Sequence, residues 1–182
     1  MIEQFTFRML DLDAKIKPFD CGDSDLNEFF QKDALNYLRQ LLAVTYVFED
    51  KQQTVAFFSV LNDRISGEDS DKNVFRKIRS KIPHKKHFRS YPSVKVGRFG
   101  VDQNYHNQRI GTEVMDFIKA YFSIKNKTGC RFITVDAYNY PRTVNFYKKN
   151  GFDFLTSQDE KEDTRSMYFD LMTFVRNNLF AK

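Results

Sequence analysis

Residues 93–122 constrain the fold more than any other stretch. Ser93-Val-Lys-Val-Gly-Arg-Phe-Gly-Val101 is a β-prone run with glycines at 97 and 100. A polar loop over 102–108 follows, and then Ile110, Val114, Phe117, Ile118, Tyr121 and Phe122 recur at helical spacing. Glycines inside a strand mark a bulge or a close approach of another group. The change of pattern marks a strand that passes through a short loop into an amphipathic helix, and such a helix needs a partner layer to cover its apolar stripe.

The other segments supply that layer. Residues 3–11 are partly alternating and β-rich, which suits a first strand at a sheet edge. Asp23 or Ser24 can cap a helix with Leu26, Phe29, Phe30, Ala34, Tyr37 and Leu38 on one face. The runs 42–48 and 54–61, joined by the polar tip Glu49-Asp-Lys-Gln-Gln53, predict an antiparallel hairpin. Residues 62–92, polar and punctuated by Pro83 and Pro92, predict the most mobile region, with one short helix around 73–80. Residues 131–137 predict a strand, 142–150 a short helix ended by Gly151 in the left-handed conformation, and 164–171 a last strand before a polar tail. The order predicts an α/β protein of α+β type, a mixed sheet with helices on it, in one domain spanning 1–182.

Composition narrows the setting. Only Cys21 and Cys130 occur, without metal-ligand spacing, so neither a metal site nor a disulfide framework is expected. The longest apolar stretch is far too short for a membrane span and the first residues lack a secretory core, so a cytoplasmic protein without membrane contact is expected. The formal charge of +5 is unevenly spread, because ten Lys or Arg lie between Lys72 and Arg98 and no acid intervenes before Asp102. That region could meet RNA. It also reads as a helix with Phe75, Ile78 and Ile82 packed inward and its charges solvated, or as a surface facing cofactor phosphates.

The loop before the long helix is a candidate anion site. Successive backbone N–H groups at a helix N-terminus, aided by the helix dipole, suit a diphosphate, and Arg109 adds a charge beside them. Alone, a strand, loop and helix with one glycine has many structural explanations.

A second motif, Asn139-Tyr-Pro-Arg-Thr-Val-Asn-Phe-Tyr-Lys-Lys-Asn-Gly-Phe152, changes the weight of the first. Phe146-Tyr147-Lys-Lys-Asn-Gly151-Phe152 resembles the Phe-Tyr-x-x-x-Gly-Phe signature of GCN5-related N-acetyltransferases, and residues 94–116 resemble that family's acetyl-CoA motif. The resemblance extends over nearly the whole chain by element order. It implies acetyl-CoA as co-substrate, no metal, and cofactor contacts from Phe99, Gly100, Val101, His106, Asn107, Gln108, Arg109, Ile110, Gly111, Thr112 and Phe146, with Asn139 or Tyr140 contributing as well. Two departures stand out. Against the family's Gln/Arg-x-x-Gly-x-Gly/Ala pattern, His106 takes the first position, Arg109 replaces the first glycine and Gly111 supplies the second. Asn139 lies eight residues before Tyr147, where seven is usual. A side chain at 109 must therefore leave the diphosphate path or clamp it from the side.

The chemistry implied is direct attack of an amine on the thioester. Backbone N–H groups of Phe99 and Val101 would polarise its carbonyl, and Tyr147 would be the general acid for the departing thiolate. With ordinary values of about 10 for tyrosine and about 8.5 for a thiol, that transfer is uphill by roughly 2 kcal/mol, so the site must tune one of them. Tyr147 also reads as a core aromatic of a short helix. No base is evident: Glu49, Asp50, His84, His87 and His106 are expected to be solvated groups in loops or at a hairpin tip.

The opening Phe19-Asp-Cys-Gly22, Leu26-Asn27-Glu-Phe29 and Ala34 resembles acetyltransferase toxins that modify aminoacyl-tRNA and pair with antitoxins, and equally many acetyltransferases of other substrates. The expectation is an N-acetyltransferase acting on a primary amine of an unidentified acceptor. Aminoacyl-tRNA as that acceptor, or a non-catalytic CoA-binding or nucleic-acid-binding module on the same scaffold, are its alternatives. A homodimer is a further expectation, because aromatics exposed at a sheet edge favour pairing.

Overall fold

The structure, a computed structural model, describes residues 2–83, 88–124, 126 and 128–178. Strand β1 (Thr6–Met9) pairs antiparallel with β2 (Val44–Glu49), and β2 with β3 (Thr54–Ser66), in registers such as Phe7↔Phe48 and Val47↔Phe57. Strand β4 (Ser90–Val101) runs parallel to β5 (Phe132–Tyr138), with residues 93–95 opposite 132–134. The two-residue β6 (Asp153–Phe154) and β5 both pair antiparallel with β7 (Thr164–Asp170). The order β1-β2-β3-β4-β5-β7-β6 makes a seven-stranded, mostly antiparallel open sheet, with β1 at an edge as the sequence predicts. By internal contacts the chain forms two compact units, Met1–Leu61 with Val96–Ile118 and Asn62–Lys95 with Lys119–Lys182.

In the first unit, α1 (Ser24–Glu28) is capped by Asp23, whose carboxylate accepts from Leu26 N. The helix then widens into a π-helical turn over Phe29–Asp33 before α2 (Ala34–Arg39). A π-turn rotates everything after it relative to a regular helix, and the apolar stripe changes accordingly. Phe29, Phe30 and Ala34 are buried as expected, but Tyr37 is exposed and touches Phe29 only at its edge, while Leu35 packs on the core instead. That core comprises Leu10, Phe19, Phe29, Phe30, Ala34, Val47 and Phe57. The Phe30 and Phe57 rings stack 4.5 Å apart, and each phenylalanine buried this way contributes about 1.5–3 kcal/mol. The long helix α4 (Ile110–Ser123) buries Ile110, Val114, Met115 and Ile118 in this unit, and Phe117 lies 4.5 Å from Phe7.

The second unit departs from expectation twice. Residues 62–66 are the end of β3 rather than loop, because Ile65 is buried in a second core with Ile78, Tyr91, Phe132, Leu155 and Tyr168. Residues 172–178, expected as a polar tail, form helix α6 (Leu171–Asn178) together with Leu171, which was expected to end the last strand; Asp170 Oδ1 accepts from Met172 N and Leu171 is buried. Asp170 is held in turn by the Arg131 guanidinium at 2.7 and 3.1 Å. Helix α3 (Lys72–Ser80) turns Ile78 inward with Phe75 half-buried, and its Arg76, Lys77 and Arg79 are exposed. The basic run is thus a packed helix with a charged outer face as far as Ser80; His84 and His87 fall outside the described residues.

Candidate active site

The two strand glycines have a packing cause. Phe57 and Leu61, four residues apart on β3, point to one face. A Cβ at Gly97 would stand 2.9 Å from Leu61 Cδ2, and one at Gly100 would stand 2.9 Å from Phe57 Cε1 and 3.0 Å from Phe19 Cζ. Positions three apart in a regular strand face opposite ways, so both can turn to that face only if an additional residue bulges between them. The Phe57 and Phe19 rings occupy the space a side chain at 100 would need, and they hold β4 at Phe99 to Val101 in place.

The loop that follows is tied down residue by residue. Asp102, 3% exposed, donates its N–H to Val55 O and accepts from Asp20 N through Oδ2 and from Asn104 N through Oδ1. Gln103 bonds Asp20 twice, N–H to the backbone carbonyl and Nε2 to Oδ2, each at 2.8 Å. Asp20 Oδ1 also accepts from Gly22 N and Asn27 Nδ2, and these bonds hold its carboxyl below the usual range. Tyr105 donates its hydroxyl to Asp50 Oδ2 at 3.0 Å, and Asp50 Oδ1 accepts from Gln52 N and Gln53 N. His106 Nε2 lies 2.8 Å from Val101 O, and Gln108 Nε2 donates to Asn104 O. Phe19-Asp-Cys-Gly22 and Leu26-Asn27 thus act locally as the brace of this loop. Their role was missed in the sequence, although Asp102-x-Asn104 is a recognisable Asx-turn pattern.

The loop enters α4 through two left-handed residues, Asn107 at φ 63° and Arg109 at φ 64°. Arg109 therefore keeps the backbone conformation for which the resembled motif uses glycine, at a cost of about 1–2 kcal/mol for a residue bearing a Cβ. Its side chain is exposed, and its carbonyl accepts the first helical bond, from Glu113 N. The amides of Ile110, Gly111 and Thr112 occupy the first turn, where N–H groups have no partner within the helix. A left-handed approach followed by such amides fits a diphosphate.

In the second unit, α5 (Pro141–Lys149) starts at Tyr140 in extended conformation, has Pro141 at its first position and ends before Gly151 at φ 83°. A Cβ at Gly151 would also stand 3.1 Å from the Phe169 ring. Tyr147 is 8% exposed between Phe146 and Phe152, with ring centres 5.2 and 5.4 Å away, and burial pushes its phenol above the ordinary value. Among the described residues its hydroxyl has no hydrogen-bond partner. Asn139 spends both amide hydrogens on the carbonyls of Glu160 and Glu162, while Tyr140 is 66% exposed.

The acids expected to be solvated are not. Glu49 is 3% exposed and meets Arg8 at 3.0 and 3.1 Å and Lys17 at 3.4 Å; the register shift between Phe48 and Glu49 draws it into the sheet rather than the turn. Asp50 is half-buried and His106 is bonded to β4. Among the described residues no group of His, Cys, Asp and Glu could hold a metal, and no helix is long and apolar enough to cross a membrane.

Residues 42–153 match the model of a GNAT acetyltransferase domain. With more than half the chain matched, the protein belongs to the GNAT acetyltransferase family, and it is an acetyl-CoA-dependent N-acetyltransferase. Among solved structures, AtaT complexed with acetyl-methionyl-tRNAfMet is 21% identical with a TM-score of 0.76, covering 97% of this chain and 99% of that one. A mutant AtaT toxin bound to the C-terminus of the antitoxin AtaR and acetyl-CoA is 18% identical, TM-score 0.72, covering 96% and 98%. A mutant of KacT is 17% identical, TM-score 0.75, covering 95% and 98%. No curated protein matches the chain in sequence.

Proposed function

We propose that this protein transfers the acetyl group of acetyl-CoA to the α-amino group of an aminoacyl-tRNA. The observation that carries the reading is the state of the groups beside the loop. Glu49, Asp50, Asp102, Asp20 and His106 are all engaged by cations, amides or a carbonyl, so none is positioned as a free base. Such a site suits an amine that is already neutral. At pH 7.5 an α-amino group with its ordinary value of 7.7–8.0 is about one-third neutral, whereas a lysine amine is neutral in about one molecule in a thousand. The fold shared with AtaT in its complex with acetyl-methionyl-tRNAfMet supports the same acceptor.

In this reading the amides of Ile110, Gly111 and Thr112, with Asn107, Gln108 and Arg109, hold the diphosphate, while His106 fixes the loop on Val101. The backbone N–H groups of Phe99 and Val101 polarise the thioester carbonyl. Tyr147, protonated throughout the physiological range, gives its proton to the departing sulfur; a sulfur in equally dry surroundings has its own affinity for the proton raised, which brings the two groups back toward balance. Phe146, Gly100 and Tyr140 complete the cofactor contacts, Tyr140 rather than Asn139 because the Asn139 amide is held by Glu160 and Glu162, and the exposed Arg76, Lys77 and Arg79 of α3 meet acceptor phosphates. The test is acetylation of charged tRNA with labelled acetyl-CoA. Label in N-acetyl-aminoacyl product, released after ester hydrolysis, is expected. Turnover on peptides or polyamines with none on charged tRNA would refute the acceptor.

A further inference from the structure

Arg98 lies on β4 between Gly97 and Gly100, one residue before Phe99. Its guanidinium lies 5.2 Å from the centre of the Phe29 ring, and its Nη1 donates to Gly97 O at 2.9 Å, so the plane of the group is set from two sides. Its Nε is buried and has no hydrogen-bond partner among the described residues. Asp25 Oδ2, on an exposed side chain, is 3.9 Å from Nε, close enough for attraction and too far for a hydrogen bond. The side chain as a whole is 41% exposed, so the outward edge of the guanidinium, rather than Nε, is what an anion can reach.

We infer that Arg98 binds a phosphate of the acceptor, that of the terminal nucleotide carrying the aminoacyl group. The inference rests on the aminoacyl-tRNA reading above. The guanidinium fork matches a phosphate through two parallel N–H donors. Phe99, the neighbouring residue, carries one of the amides assigned to the thioester carbonyl, so an anion on Arg98 lies within an arginine side chain of the reacting amine. In an aminoacyl ester the carboxylate is consumed by the ester bond, which leaves phosphate as the anion at that range. Asp25 sits on the Nε side of the guanidinium and competes with the phosphate for it.

The experiment compares wild type, Arg98→Ala, Arg98→Lys and Asp25→Asn on two acceptors, aminoacyl-tRNA and aminoacyl-adenosine, which lacks the phosphate. Arg98→Ala should raise the KM for aminoacyl-tRNA at least about tenfold. It should also reduce the slope of log kcat/KM against log salt by about 0.7, the contribution of one single-strand phosphate. The KM values for acetyl-CoA and for aminoacyl-adenosine should stay put. Arg98→Lys should keep the salt slope and recover only part of the KM, and Asp25→Asn should lower the KM for aminoacyl-tRNA. An unchanged salt slope in Arg98→Ala, or an equal loss on aminoacyl-adenosine, would overturn the inference while leaving the acceptor reading intact. A wild-type protein inert toward every charged tRNA but active on another amine would overturn both.

Discussion

Residues 102–109 keep their shape through hydrogen bonds to Asp20, Asp50 and Val55, while the Tyr147 ring on α5 is packed between Phe146 and Phe152. The first region is polar and half-exposed, and its backbone geometry is what it offers a ligand. The second is dry, and what it offers is a phenol whose proton is retained by burial. Directional bonds suit a site that must match a diphosphate at several points. Exclusion of water suits a site that must move one proton, because the low dielectric acts on donor and acceptor together. The lesson is that substitutions should separate the two regions: those near Tyr147 should alter rate with little effect on stability, and those near Asp102 should alter both.

The largest effect is expected from Tyr147→Phe. Removing the proton donor should lower turnover by about 10²–10⁴-fold, while the ring stays packed and acetyl-CoA still raises the melting temperature. Unaltered turnover would make Tyr147 a core aromatic only. Next comes Asp102→Ala, which leaves the N–H groups of Asp20 and Asn104 without their acceptor. A loss of about 2 kcal/mol, or about 6 °C in the midpoint, is expected together with a raised KM for acetyl-CoA. Loss of stability with an unchanged KM would show that the loop does not shape the cofactor site.

Alkaline pH probes the dry region. Burial raises the phenol of Tyr147, so above the unfolded value of about 10 the native state holds a proton that the unfolded chain releases. Stability is therefore full below pH 10 and falls above it, by about 1.4 kcal/mol per pH unit for one phenol. Tyr168, pushed up to about 12 by burial and then by Asp153 and Asp170, acts in the same direction. Melting curves from pH 9 to 11 should show the decline, and Tyr147→Phe should flatten it; equal slopes in both proteins would place the Tyr147 hydroxyl in water. The smallest effect concerns Arg109. Arg109→Gly relieves the left-handed strain at φ 64° but adds freedom to the unfolded chain, for a net gain of about 0.5 kcal/mol, whereas Arg109→Val should lose about 1 kcal/mol. Equal midpoints for the two variants would contradict the left-handed backbone.

Much of this protein was legible in the order of its residues. The strand glycines, the stripe Ile110, Val114 and Ile118, and Gly151 behind Tyr147 report local requirements of bulge, helix face and helix end, and local requirements are written in local patterns. Tertiary structure decided the rest. Residues 62–66 look polar yet form strand, because Ile65 is drawn into a core with Phe132 and Tyr168. Tyr37 left its stripe when a π-turn rotated the helix. Glu49 became a buried partner of Arg8, forty-one residues away. The role of Asp20 as brace for the loop at Asp102 depends on a contact across eighty-two positions. Burial and hydrogen-bond partnership are properties of neighbours in space, and spacing along the chain carries no record of which distant segment will supply them.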